Sequence, residues 1–509
     1  MDEKETNLEL VALDSIVPKM QQSEPADGPY IIRRIEVMRK HILPVALLTL
    51  CLVFGVPSPA TAKTPSQTGG QFASSDFDAR RRAAMEKCPD GILMLHSNSG
   101  LKHWDEFGFH QDPSFYYFTG LANVHGAILA LDGDARQSWL FVASAAGPPS
   151  PGPTGLDRIV VVPGKASESE LKIDHIAGWD DFTQFVSSRR AANPRLVLYL
   201  DGGGQTGAML GTRSNPKDLI PVENIYLLWK TAIQTRWPDA AIRDAWAIVD
   251  EIRSVKSAAE ISLLRKAASI TAEGFWAGVR AISPGRTERQ VEAEVIRGCM
   301  SAGSDGASLW PWIRSGPNAL GDRLFLAFSD YHNLNREMRA GEVVRVDLGC
   351  DFALYKGDFG RTIPVSGHFD EGQRETLELV TGAYLAGVKV MREGATREDV
   401  FRASAAYVAE HQPSLKTELA REAATDALNK RPWILHGLGV DMAEGAPKVF
   451  RAGNVLCYEP LLTAGGQGFF VEDTILITRD GHEILNPPLP YFAAEIEKAM
   501  AGRVADRKK

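Results

Sequence analysis

The stretch AGVRAISPGRTERQV at residues 277–291 returns 109 residues further on, as AGVKVMREGATREDV at residues 386–400. Each copy reads as the end of a helix, a turn at Gly285 or Gly394, and a new helix opened by Thr287 or Thr396. Gln290, three residues after Thr287, completes a capping box. A long amphipathic helix over 257–282 leads into the first copy, with Ile261, Leu264, Ala268 and Ile270 among its apolar positions, and Pro284-Gly285 stops it. Strands are expected after each copy. Two such halves predict a pseudo-symmetric α/β/α unit with a site at the seam. A match this short also arises when two helix pairs merely share turn chemistry.

The strand-like runs beyond the first copy carry the ionisable groups. VVRVDLG at 343–349 reads as a buried strand holding Asp347; Asp358 follows eleven residues later, just before a second strand through Arg361–Val365. Neighbouring antiparallel strands would set both carboxylates on one face. Burying two carboxylates together is costly unless cations neutralise them, and the apolar flank of Asp347 argues against a solvated hairpin. His436 in LHGLG at 435–439, Glu459 after VLCY at 455–458, and Glu472 in FFVEDT at 469–474 sit in similar apolar settings. One such residue alone is more often a satisfied core polar group. Two Asp, two Glu and one His together fit a dinuclear site, and oxygen donors with one imidazole suit Mn2+, Co2+ or Zn2+.

The rest of the 509 residues exceeds one core, so two or three domains are expected. Residues 77–246 alternate short apolar runs with helical stretches and read as an α/β domain. Its strands are expected at 91–96, 126–131, 139–143 and 195–200, with a long loop at 147–155. A net charge of −8, with no basic run longer than Arg80-Arg81-Arg82, excludes a phosphate-binding stripe and argues against nucleic-acid or anionic-membrane partners. Asp201 and the three glycines after it read as a turn, since no phosphate-loop lysine follows.

Residues 1–62 read as an extension and secretory signal. Met38-Arg39-Lys40 is its positive start, 42–56 its apolar run, and Ala60-Thr61-Ala62 its cleavage site. A retained membrane anchor is the alternative, and residues 1–37 suit a spurious upstream start. Residues 63–76 read as a linker. The protein is thus expected outside the cytoplasm, periplasmic or secreted. Cys88, Cys299, Cys350 and Cys457 show no CxxC spacing and read as isolated buried thiols.

Taken together, these motifs resemble the pita-bread metallopeptidases, with Xaa-Pro aminopeptidase (aminopeptidase P) and prolidase as the closest members. FDARRR at 77–82 and QDPSFYYFTGL at 111–121 are similar to the aminopeptidase P N-terminal domain; SGPNA at 315–319 and GEVV at 341–344 fit the catalytic domain. The resemblance implies an N-terminal creatinase/aminopeptidase P-like α/β domain over 77–246 and a pseudo-symmetric pita-bread domain over 250–502. It implies two divalent ions, Mn2+ first, held by Asp347, Asp358, His436, Glu459 and Glu472. Glu459 would also take a proton from the attacking water. The substrate would be a proline-containing peptide and the assembly a dimer or tetramer. The full acid set separates the chain from creatinase, which lacks it. The aromatic residues at Trp310 and Trp312 suit a proline pocket, although core packing is their commoner use, and Phe470 is placed with Trp310 against substrate. The chain also departs from the family pattern. Asp330 stands where a His is usual, with His332 two places on as its substitute in catalysis. Pro432 and Ala443 replace two further histidines, Phe470 an arginine and Gly360 a threonine. A lost donor of this kind costs on the order of 10²–10³ in rate.

Overall fold

A computed structural model describes residues 72–98, 110–142, 161, 163–201, 225–320 and 335–506. The signal at 38–62 and the loop at 147–155 lie outside them. The N-terminal region runs α1 (Ser74–Lys87), β1 (Gly91–His96), α2 (Pro113–Thr119), β2 (Ile128–Asp132), β3 (Gln137–Val142), α3 (Lys165–Leu171), β4 (His175–Gly178), α4 (Trp179–Ala192), β5 (Val197–Leu200), α5 (Ile225–Arg236) and β6 (Ala241–Asp244). Its strands form one mixed sheet in the order β4-β3-β2-β1-β5-β6. The first strand has the expected bounds. The second begins two residues late because Gly126 is in a turn, with φ 62° and its N–H bonded to Asn98 O. Helix α1 begins inside the stretch read as linker, because the Asp76 carboxylate accepts the Ala73 N–H at 2.9 Å and caps it there.

After α6 (Trp246–Ser254) come α7 (Ala258–Ala281), α8 (Glu288–Ser301), β7 (Gly306–Ser315), β8 (Val343–Phe352), β9 (Tyr355–Lys356) and β10 (Phe359–Pro364). The second half follows with α9 (Glu371–Lys389), α10 (Arg397–His411), α11 (Glu418–Lys430), β11 (Trp433–Gly437), β12 (Val455–Ala464), β13 (Gln467–Ile477), β14 (His482–Ile484) and α12 (Ala493–Asp506). Ser257, Thr287 and Thr396 cap α7, α8 and α10, each through a capping box. The main sheet runs β7-β8-β10-β13-β12-β11, two three-stranded halves joined where β10 meets β13. The repeat is therefore structural.

Period-two alternation sorts the side chains of this sheet. Val344, Val346 and Leu348 of β8, Leu456 and Tyr458 of β12, and Phe469 and Val471 of β13 join Phe275, Val279, Val380 and Tyr384 of the helices in one core. The intervening residues face the other side. That face carries Asp347, Glu459 and Glu472.

The cysteine expectation is corrected in one respect. Cys299 on α8 and Cys350 on β8 form a disulfide, with Cα atoms 6.2 Å apart; Cys88 and Cys457 are free and buried. The bond joins a helix to the core face of a strand 51 residues away, so local spacing held no sign of it.

The N-terminal region shares a core with α7. Phe77, Phe115 and Leu129 cluster with Leu263, Leu264 and Tyr355. Buried Arg253 reaches Glu444 at 2.7 Å and Lys256 reaches it at 2.5 Å, tying the start of the catalytic region to the loop after β11.

Candidate metal centre

Asp347 lies at the fifth position of β8, and Asp358 just precedes β10. In the ladder, Gly360 pairs with Asp347 on one side and Glu472 on the other. Glu459 and His436 come from β12 and β11, where His436 pairs with Cys457. The structure thus brings all five proposed ligands together, although they span residues 347 to 472. Donor atoms of Asp358, His436, Cys457 and Glu472 lie within 4.8 Å of one another, and so do those of Asp347, Glu459 and Glu472. The two clusters share Glu472.

The acids are deeply buried, Asp347 at 3% exposure and Asp358 and Glu472 at 1% each. Both side-chain oxygens of Asp358 and Oε2 of Glu472 have no hydrogen-bond partner among the described residues. Orphaned buried carboxylates of this kind are costly, and divalent cations are the natural partners for them. Burial pushes Asp347 up to about 6, against the pull of Arg345, and holds Asp358 and Glu472 well above the usual carboxyl range. Burial opposes the charged form of His436, but its hydrogen bond to Glu459 and the charge on Asp358 outweigh this and raise it to about 9. Its Nδ1 donates to Gly437 O at 3.0 Å, leaving Nε2 3.5 Å from Asp358 Oδ2 and 3.5 Å from Glu459 Oε1. Fixing the ring through its second nitrogen is how a ligating imidazole is usually aimed. The donor set, oxygen-rich with one imidazole, fits divalent cations.

Residues that the sequence reading passed over support this set from behind. Thr474 donates to Asp358 O at 2.5 Å. Buried Arg361 donates to Glu472 O and pairs with Asp473, which Tyr384, Tyr491 and Asn486 also contact. Arg345 reaches Asp347 at 2.6 Å and Glu459 at 3.4 Å. Its alternation with Asp347 along β8 was the signal that could have found it.

The other residues expected at the site are placed differently. Phe470 is fully buried, with its ring over Gly360 and its face 4.0 Å from the Arg345 guanidinium carbon, so it offers no exposed surface to a substrate. That corrects the expected contact. Gly360 has no room for a Cβ beneath the ring, which accounts for the absent threonine. Trp310 lies in β7, between register shifts, with its side chain outside what is described; Trp312 pairs with Asp347. Asp330 and His332 lie outside the described residues. Pro432 accepts from Leu461 N at 3.2 Å, and Ala443 sits one residue before the Glu444 anchor.

Residues 262–479 match the model of metallopeptidase family M24, and residues 77–147 match the aminopeptidase P N-terminal domain. The chain thus carries an M24 peptidase domain behind an aminopeptidase P N-terminal domain. A Xaa-Pro aminopeptidase of Escherichia coli is 26% identical over 472 residues, covering 86% of this chain and 99% of its own. A probable Xaa-Pro aminopeptidase of Emericella nidulans is 31% identical over 306 residues, 50% of this chain and 65% of its own. Among solved structures, Pseudomonas aeruginosa aminopeptidase PepP has a TM-score of 0.65 at 22% identity, covering 85% of this chain and 99% of its own. Aminopeptidase P from Escherichia coli with the inhibitor Pro-Leu has a TM-score of 0.62 at 24%, covering 86% and 100%. These structural likenesses bear on the fold, an aminopeptidase P N-terminal domain followed by a pita-bread domain. By family and relatives, the M24 chain is a metallo-aminopeptidase that uses divalent metal ions.

Proposed function

We propose that this M24 enzyme is a dinuclear exopeptidase releasing the N-terminal residue from Xaa-Pro peptides. The observation that carries the reading is the pair of donor clusters sharing Glu472, built from buried carboxylates with orphaned oxygens. Asp347, Asp358, His436, Glu459 and Glu472 would hold two divalent ions, Mn2+ ahead of Co2+ or Zn2+. Such ions supply Lewis acidity toward the scissile carbonyl and make a water more acidic. The choice of Xaa-Pro substrates is supported by the Xaa-Pro aminopeptidases among the relatives, of which those from two bacteria match along nearly their full length.

The chain's own residues then divide the work. Glu459 has a side chain 13% exposed, against 4% or less for the other three acids, so it is the carboxylate best placed to meet water. It accepts the proton from the attacking water and returns it to the departing proline nitrogen. His436 stays oriented through Gly437 O. His332 is proposed as the donor to the carbonyl oxygen, in place of the histidine absent at Asp330, while those absent at Pro432 and Ala443 have no substitute. With fewer such donors, turnover is slow or specificity shifted. Export to the periplasm or medium is part of the proposal. The Cys299–Cys350 bond supports it, since such bonds persist in oxidising compartments. A dimer or tetramer is proposed as the working form, to be checked by light scattering.

The test is to load the purified enzyme with Mn2+ and offer an Xaa-Pro-Yaa-Zaa peptide and an Xaa-Pro dipeptide, reading products by mass spectrometry. Loss of one N-terminal residue from the longer peptide is expected. Cleavage of the dipeptide alone would make the enzyme a prolidase. No cleavage of either would refute the substrate assignment.

A further inference from the structure

Cys457 is fully buried on β12, two residues before Glu459 and on the same face of the sheet. Its ladder partners are His436 on β11 and Thr474 on β13. Its sulfur and donor atoms of Asp358, His436 and Glu472 all lie within 4.8 Å of one another. The thiol makes only long contacts there, 4.0 Å to Asp358 O and 3.8 Å to Thr474 Oγ1. That carbonyl and that hydroxyl already bond to each other at 2.5 Å. The other free thiol, Cys88, differs, since it donates to Ala84 O at 3.2 Å. The polar atoms in front of Cys457 are themselves unsatisfied: both side-chain oxygens of Asp358 and Oε2 of Glu472 are buried without a hydrogen-bond partner among the described residues. Cys457 also belongs to the apolar cluster of Leu438, Val440, Val455 and Leu476. Filling that space needs only a small apolar side chain. It does not call for a sulfur among orphaned carboxylate oxygens and an imidazole.

We infer that Cys457 is a further donor of the centre, a sulfur ligand for a thiophilic ion, Zn2+ above all, held together with Asp358, His436 and Glu472. The inference rests on the reading of the five side chains as cation ligands and adds one donor to them. When the ion binds, a metal–sulfur bond forms, the S–H bond breaks and the proton leaves to solvent. Thiolate sulfur suits Zn2+, whereas Mn2+ prefers oxygen and gains little from it. With Mn2+ the thiol therefore stands idle. With Zn2+ it closes on the ion and raises the preference for Zn2+ over Mn2+ beyond what carboxylates and one imidazole give. Which ion the enzyme carries then depends on which is supplied, through a residue outside the five-ligand set.

The experiment is X-ray absorption at the zinc edge on the Zn2+-loaded full chain, with folding checked by circular dichroism. Wild type should show a sulfur neighbour at about 2.3 Å beside nitrogen and oxygen neighbours at about 2.0–2.2 Å. Cys457→Ser should lose the sulfur and keep the others. The manganese edge of the Mn2+-loaded chain should show no sulfur in either protein. In competition dialysis, the preference for Zn2+ over Mn2+ should fall in Cys457→Ser by on the order of 10–100-fold, the scale on which a change around a metal moves affinity. Cys457→Ala takes the place of Cys457→Ser if the latter does not fold. A wild-type zinc spectrum with nitrogen and oxygen alone, or a sulfur neighbour that persists in the folded variant, overturns the inference while leaving the dinuclear reading intact. Failure of wild type to bind either Zn2+ or Mn2+ overturns both.

Discussion

Gly285 and Gly394 have φ of 83° and 84°, and each donates its N–H across a loop at 2.9 Å, to Met338 O and Phe450 O. Past these matching turns the two halves of the catalytic region run in parallel. Each has a helix capped by Thr287 or Thr396, then a strand starting at Val343 or Val455 with an acid at its fifth position, Asp347 or Glu459. A second acid follows in each half, Asp358 or Glu472. The flanking residues have diverged. Two places before the first acid stands Arg345 in one half and Cys457 in the other. At the first position of the capped helix stands buried Glu288 in one and exposed Arg397 in the other. The scaffold and the acids stay matched because a shared charge needs carboxylates from both sides. The neighbours carry no such shared demand and can differ.

The sharpest way to break this comparison is to remove an acid at the seam. Asp358→Asn should cut peptide cleavage by at least on the order of 10²–10³, with loss of bound metal by elemental analysis. Retained cleavage would mean that the paired acids are not the working centre. The Arg361–Asp473 pair ties the halves together at 2.8 Å, both side chains fully buried. Asp473→Leu should lower stability by about 3–5 kcal/mol in denaturant titration, since it strands a buried guanidinium. A loss under 1 kcal/mol would show that the seam is held by packing alone.

Glu288 sharpens the difference between the halves. Burial pushes it up to about 7 from an ordinary 4.5, despite hydrogen bonds from Ser315 and Asn318. Between those pH values the folded state holds more protons than the unfolded one, so stability falls as pH rises from about 4.5 to 7 and is flat above. Glu288→Gln should remove its share of that decline, on the order of 3 kcal/mol. Parallel melting-versus-pH curves for the two proteins would reject it. The smallest effect tests the repeat itself. Gly285→Ala and Gly394→Ala should each cost about 1–2 kcal/mol, the penalty for a side chain in left-handed backbone. Open space surrounds both positions, so clashes add nothing, and clearly unequal losses would show that the turns are not equivalent.

The repeat, the helix over 257–282 and the strands bearing the acids were legible because capping, glycine turns and alternation act within a few residues. The clustering of the acids was legible as well, since five ionisable groups in apolar strands are costly without a shared purpose. Other expectations slipped where a local cue misled. Asp76 caps a helix inside the stretch read as linker, and Phe470, placed against substrate, is a buried platform.

By itself, then, the sequence determined two matched halves, their acids and the family they imply, through patterns that each strand or turn carries alone. Only the tertiary structure decided which groups meet. It set Arg345 beside Glu459, 114 residues away, stacked Phe470 over Gly360, and joined Cys299 to Cys350. Those contacts come from strand order and the sheet face each side chain takes. Neither is a property of any short stretch of chain, because it is the pairing of β10 with β13 that closes the two halves on one another.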